Sequence, residues 1–159
     1  MKYLPVLEVR PAEMLALREL PEKDKNLLCP LFRLRPWVSS NKLQNSVGKI
    51  VDSFGNRPCY LQVGDAEPVD PSKRRDVHDE LDSLRIANNG YENWFNFLAQ
   101  PEHSAFKPVL QTGNAAEFAS QVTKLFSLGR GLLVRVEKPQ LALVNALANN
   151  LVTATSGGM

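Results

Sequence analysis

Glu8, Arg33, Gln62, Gln111 and Arg135 each stand two residues after an apolar side chain in a phrase that recurs five times along the chain. The copies are Val6-Leu7-Glu8-Val9-Arg10-Pro11, Leu31-Phe32-Arg33-Leu34-Arg35-Pro36, Tyr60-Leu61-Gln62-Val63-Gly64-Asp65, Val109-Leu110-Gln111-Thr112-Gly113-Asn114 and Leu133-Val134-Arg135-Val136-Glu137-Lys138. In a strand, residues two apart share a face. Aligned as strands, the copies stack Val6, Leu31, Tyr60, Val109 and Leu133 in one layer and the polar residues above it. A last layer holds Arg10, Arg35, Gly64, Gly113 and Glu137. Guanidinium groups suit bidentate contacts with carboxylate or phosphate. One chemistry for these rows is therefore anion binding, with Arg33, Arg35 and Arg135 as the cations and Glu8 or Glu137 orienting the ligand. Arg10, Gln62, Asp65 and Gln111 complete the candidate ligand-binding set. The other is an internal ion-pair network, because an unpaired buried charge costs several kcal/mol and a mixed Glu/Arg layer removes that cost. The residues leave both open.

The elements that must position these side chains follow from the spacing. Helical patterns lie between the copies, so the chain reads as β and α elements in alternation, the grammar of a parallel α/β sheet. Such sheets carry their sites at the carboxyl ends of the strands. The first strand, Tyr3 to Val9, leads into a helix opened by Pro11 that carries Met14, Leu15 and Leu17. A polar return, Glu22 to Asn26, reaches the second strand, Cys29 to Leu34. The clearest amphipathic helix follows, with Leu43, Val47, Ile50, Val51 and Phe54 on one stripe and Gly55 at its stop. The third strand is Pro58 to Val63. A helical insert, about 65–104, breaks the repeat: a Pro- and charge-rich loop, then helical patterns over Asp76 to Asn88 and Tyr91 to Gln100. Its Trp94, Phe97 and Leu98 sit at helical spacing, which fits packing better than ligand stacking. After the fourth strand, Phe106 to Thr112, Asn114 and Glu117 have the spacing of a capping box. Gly129 and Gly131 precede the fifth strand and so read as helix-terminating glycines, not a phosphate loop. Pro139 opens a last helix with Leu141, Val144, Leu147 and Leu151 apolar. The domain reading is a single α/β domain over 1–152 with a flexible tail, 153–159.

The opposite columns, Leu7, Phe32, Leu61, Leu110, Val134 and then Val9, Leu34, Val63, Thr112, Val136, are almost wholly apolar and should meet the helices. An open doubly wound sheet would be apolar on both faces, whereas a barrel tolerates polar residues near its mouth. The fold class expected is thus α/β, a partial TIM-barrel-like sheet of about five strands with a helical insert after strand three. Five strands do not close a barrel that needs roughly 250 residues. Exposed edges at the first and last strands would then favour self-association or a protein partner.

Composition narrows the functional classes. A 159-residue chain, 43% hydrophobic and 23% charged, is ordinary for a globular domain. A net charge of +2 is too small to imply nucleic acid, and Lys73-Arg74-Arg75 reads as a solvated loop. No apolar run suggests a secretory signal or a membrane span, so the expectation is a cytoplasmic protein without membrane contact. Cys29 and Cys59 are read as buried free thiols. His78 and His103 lie far apart, with His78-Asp79-Glu80 on a helix surface and no further ligands, so no metal is expected. There is no CxxC, GxSxG, GxxxxGK[ST] or GxGxxG. No catalytic residue can be named and no cofactor is implied. The reading leans towards a protein that is not an enzyme.

Tyr3-Leu4-Pro5-Val6-Leu7, the Leu20-Pro21 turn, Cys29-Pro30-Leu31-Phe32, Arg57-Pro58-Cys59-Tyr60-Leu61, Lys107-Pro108-Val109-Leu110-Gln111-Thr112-Gly113 and Gly131-Leu132-Leu133-Val134-Arg135-Val136 together resemble the phage Beta family. The resemblance runs over most of the chain, least over the insert. It implies a barrel-like α/β protein of phages, satellite phages and bacterial mobile elements. It also implies an immunity partner, encoded beside a toxic gene product whose toxicity it suppresses within a phage-defence locus. Members of that family usually run to about twice this length, enough for eight units. The resemblance carries over no catalytic residues. The leading expectation is a non-catalytic interaction or immunity protein. The alternative is a barrel enzyme or binding protein for a phosphate- or carboxylate-bearing small ligand at the strand ends.

Overall fold

The computed structural model describes residues 2–156 and divides the chain into two compact units, Met1–Leu84 and Arg85–Met159. In the first, β1 (Val6–Glu8), β2 (Leu31–Leu34) and β3 (Cys59–Val63) form a parallel sheet in chain order. The connections are helical: α1 (Pro11–Glu19) and α2 (Glu22–Lys25) after β1, and α3 (Leu43–Phe54) after β2. A further helix, α4 (Asp76–Leu84), ends the unit. In the second unit α5 (Asn88–Ala99) precedes β4 (Phe106–Leu110), α6 (Phe118–Phe126) joins it to β5 (Leu133–Val134), and α7 (Val144–Ser156) follows. β4 and β5 pair in parallel. The α/β alternation with parallel pairing is therefore the observed architecture.

The register matches the aligned columns: Val6 opposite Leu31 opposite Tyr60, Glu8 opposite Arg33 opposite Gln62, and Val109 opposite Leu133. Period-two alternation explains the agreement, since a slip by one residue would expose Phe32, Leu34 and Leu61. Those three, with Val9 and Val63, are buried on the helix-facing side. Met14 and Leu17 of α1 and Leu43, Val47, Ile50 and Phe54 of α3 supply the other half of that core. Phe54 meets Phe32 edge-on at 6.0 Å. Leu15 and Val51 are exposed instead of joining their stripes; Leu15 lies off the row of Met14 and Leu17, and Val51, four residues after Val47, lies at the solvent margin of its stripe.

Several boundaries differ from those the sequence suggests. Glu22 to Lys25 is a helix, not a connecting stretch. The Lys25 ammonium is buried and donates to the Arg18 carbonyl at 3.1 Å and to Glu22 at 3.0 Å, which holds the turn before β2 closed. The Glu22 carboxylate is held below its usual range by Lys25 and then by Arg57. β5 is only two residues long, so Arg135, Val136 and Glu137 lie beyond it, and β4 ends before Gln111. The last helix runs through Ser156, so 153–156 are helical, and 157–159 lie outside the described residues.

In the second unit Trp94, Leu98, Phe118, Val122 and Leu125 form the core. The Trp94 indole N–H donates to the Val109 carbonyl at 3.3 Å, and His103 is buried between Phe97 and Phe106, its Nδ1 2.6 Å from the Phe97 carbonyl oxygen. The aromatic group of the insert is thus packing. α5 opens on an irregular turn: Asn89, Gly90 and Tyr91 have φ of 52°, 65° and 57°. Gly90 is required there twice over, by its positive φ and because a Cβ would stand 2.7 Å from the Gln121 backbone nitrogen. Its N–H donates to Glu117 at 2.6 Å. Glu117 therefore does not close a capping box; Asn114 alone caps, accepting from the Ala116 N–H at 3.0 Å.

Cys29 and Cys59 are free, Cys59 buried and Cys29 half-buried. Burial, with a smaller effect of Cys29, pushes the Cys59 thiol from 9.0 up to about 12. The unfolded chain therefore loses this proton first as pH rises, and stability falls between the two values. From about pH 8.5 to about pH 10.5 the wild type is expected to lose about 2 kcal/mol more than Cys59→Ala. Urea midpoints at the two pH values check this; parallel slopes would exclude it.

Candidate functional site

The carboxyl ends of β1, β2 and β3 gather the charged residues of the first unit. Each arrives by alternation: Glu8 and Arg33 point away from the helices at paired register positions, and Arg35 follows two residues on. One Glu8 carboxylate oxygen accepts from Arg33 and the other from Arg35. Arg33 also pairs with Asp65, and Arg35 with Glu67. Arg10 reaches Glu67 at 3.3 Å. Arg33 and Arg35 are each 11% exposed and Glu8 19%, so these charges are largely out of water. The Glu8 carboxylate beside Arg35 raises the guanidinium further above its ordinary value. Three arginines thus face three carboxylates, Glu8, Asp65 and Glu67.

The backbone fixes this cluster. Glu8 N–H donates to Glu13 in the first turn of α1 at 2.6 Å, closing the turn between strand and helix. Arg35 C=O accepts from the Ser46 hydroxyl at 2.7 Å, and the same hydroxyl accepts from the Trp37 N–H at 3.0 Å. Gly64 lets β3 end against β2: its N–H donates to the Leu34 carbonyl at 3.1 Å, and a Cβ would stand 2.2 Å from that oxygen.

Three buried polar atoms here lack a hydrogen-bond partner: Arg33 Nε, Arg35 Nη1 and Gln62 Oε1. Arg35 Nη1 lies against Glu67 as an ion pair without the geometry of a hydrogen bond. Gln62 sits beside Arg33 in the register, so both orphaned atoms lie on the face turned from the helices.

Of the remaining candidates, Gln111, Arg135 and Glu137 belong to the second unit. Gln121, fully buried, clamps the Gln111 backbone, accepting from its N–H at 2.7 Å and donating to its carbonyl at 3.3 Å. Arg135 pairs with Glu137 at 3.0 Å. Glu137 N–H donates to Gln140, whose amide reaches the Thr112 hydroxyl at 3.1 Å. These residues set the turn after β5.

A cleft of about 350 Å³ opens beside the first unit's cluster, lined by Arg10, Arg35, Glu67, Arg75 and His78 among others. Glu67, Arg75 and His78 come from the Pro- and charge-rich loop and the start of α4, where no periodicity marks them. The signal available was composition alone, an Arg-rich loop following a strand end. Arg75 donates to the Trp37 and Ser40 carbonyls at 3.1 and 2.5 Å. Its own N–H donates to His78 Nδ1 at 3.0 Å, so His78 is tied to the backbone at the opening of α4.

No helix among the described residues is long and apolar enough to cross a membrane. A model of the family described as Beta protein matches residues 3–158. Protein beta of Enterobacteria phage P4 is 28% identical over 117 residues, covering 72% of this chain and 30% of that protein. The chain thus spans about 30% of the length of the curated relative it matches. No solved structure matches it.

Proposed function

This chain belongs to the Beta protein family, and from that premise we propose that it is a non-catalytic interaction protein that neutralises a toxic partner in phage defence. The observation that carries the reading is the free side of β1. Among the described residues that strand pairs only with β2, and apolar side chains at or ahead of the starts of these two strands are open to solvent: Tyr3 is 69% exposed, Val6 49% and Leu27 63%. Tyr3 N–H donates to the Leu27 carbonyl at 2.9 Å and Tyr3 bridges Leu28 in parallel, so the backbone leading into β1 runs beside the backbone leading into β2. An unpaired strand edge beside exposed apolar groups is a template for strand addition or docking. The matched charges at the strand ends support the same reading, since both oxygens of the Glu8 carboxylate are already engaged by arginines of the chain itself. We read the parallel strands as part of a barrel-like sheet, with the β1 edge covered by the partner or a second copy of the chain.

Co-purification from cells carrying the neighbouring genes tests this. A stoichiometric protein partner is expected with the wild type, and its loss with Val6→Lys, a surface change that leaves the core intact. Recovery of the chain alone, or equal recovery of the partner by Val6→Lys, would count against the reading.

A further inference from the structure

We propose that the cleft formed by Arg10, Arg35, Arg75 and His78 is a receptor for the dianionic phosphate group of a small phosphomonoester, and that Glu67 is its internal occupant. The inference stands apart from the protein-partner reading and uses another surface.

Charge decides the ligand class. Glu8 sits behind Arg35, on its Nε, and stays with the network. On the cleft side the only carboxylate within ion-pair reach of the lining arginines, among the described residues, is Glu67. It neutralises Arg35 Nη1 without a hydrogen bond to it, and reaches Arg10 only at 3.3 Å. Arg75 meets carbonyl oxygens and, among the described residues, no carboxylate. Moving Glu67 out leaves three guanidinium groups with one negative charge behind them, which suits a dianion better than a single carboxylate. Glu67 can leave because it lies in an exposed loop and its side chain is half in solvent.

The surrounding backbone has the same sign. Arg10 and Arg75 immediately precede α1 and α4, each nine residues long, so the positive ends of both helix dipoles lie beside residues of the cleft. His78 Nδ1 stands 3.0 Å from the Arg75 backbone nitrogen and 3.1 Å from the Arg75 carbonyl oxygen, so it is Nδ1 that the backbone engages. Val9 and Pro36 supply apolar wall. A volume of about 350 Å³ is at the lower end for small-molecule sites, enough for a sugar-sized phosphomonoester and too small for a dinucleotide.

Calorimetric titration with inorganic phosphate, glycerol phosphate and acetate tests the assignment. Glu67→Gln is expected to bind both phosphate probes about tenfold more tightly than the wild type, because it removes the internal competitor. Arg75→Gln is expected to bind them at least tenfold more weakly. Arg10→Gln, at an exposed position, should weaken them about fivefold, and it keeps the test open if Arg75→Gln does not fold. Arg74→Gln, adjacent but held by Asp79 and Asp82, should change affinity less than twofold. Acetate binding as tight as phosphate, no binding of phosphate to either wild type or Glu67→Gln, or equal weakening by Arg74→Gln and the cleft variants would overturn the proposal.

Discussion

Glu8→Ala is expected to lower the unfolding free energy by about 3 kcal/mol, because it removes one partner from a largely buried ion-pair network. Glu8 holds two guanidinium groups, each 11% exposed. Without it, Arg33 keeps only Asp65 and Arg35 only Glu67, both at the solvent side. Arg33 Nε and Arg35 Nη1 already lack hydrogen bonds, and the unpartnered acceptor beside them, the Gln62 Oε1 amide oxygen, carries no charge to replace the carboxylate. Glu67→Gln is the fitting comparison, since Glu67 is half exposed and surface pairs contribute under about 1 kcal/mol. Urea unfolding of both variants decides the matter; equal costs would mean that Glu8 does not organise the cluster.

Gly64→Ala is the second large effect, expected at about 3 kcal/mol or more. Its Cβ would stand 2.2 Å from the Leu34 carbonyl oxygen and 3.3 Å from Arg35 Cδ. The first neighbour is backbone, so the ends of β2 and β3 must part. The Gly64 N–H to Leu34 carbonyl bond would lengthen with them, and Arg35 and Asp65 would shift out of register with Glu8. Loss of slow hydrogen exchange at the Gly64 amide together with the stability change is the expected result. A variant within about 1 kcal/mol of wild type would contradict the close approach.

The strands were legible because they repeat one pattern. Wherever an apolar residue alternates with Glu8, Arg33 or Gln62, only one register buries Phe32, Leu34 and Leu61, and the pairing follows. Strand lengths were less legible. Val136 continues the alternation after β5, yet pairing stops at Val134, because a hydrogen-bonded partner is a tertiary matter that alternation does not encode. The ion-pair chemistry of Glu8, Arg33 and Arg35 was also readable from the columns, including the need for each to neutralise the others. Glu67, Arg75 and His78 were not. They sit in or after a loop whose prolines and charges carry no period, and only the turn from β3 towards α4 brings them beside Arg10 and Arg35. Glu117 shows the opposite failure: its spacing from Asn114 fits a capping box, but the left-handed Gly90 offers its N–H to the same carboxylate.

The two surfaces of the first unit make separable claims. The β1 edge is apolar and open, whereas the cleft is cationic and partly filled by the chain's own Glu67. Growth of cells that express the toxic partner proposed above, with this chain or its variants supplied in trans, separates them most directly. Wild type and Arg10→Gln are expected to restore growth, and Val6→Lys to fail while remaining folded. Restored growth with Val6→Lys, together with failure of Arg10→Gln, would contradict the account and move the function from the strand edge to the cleft.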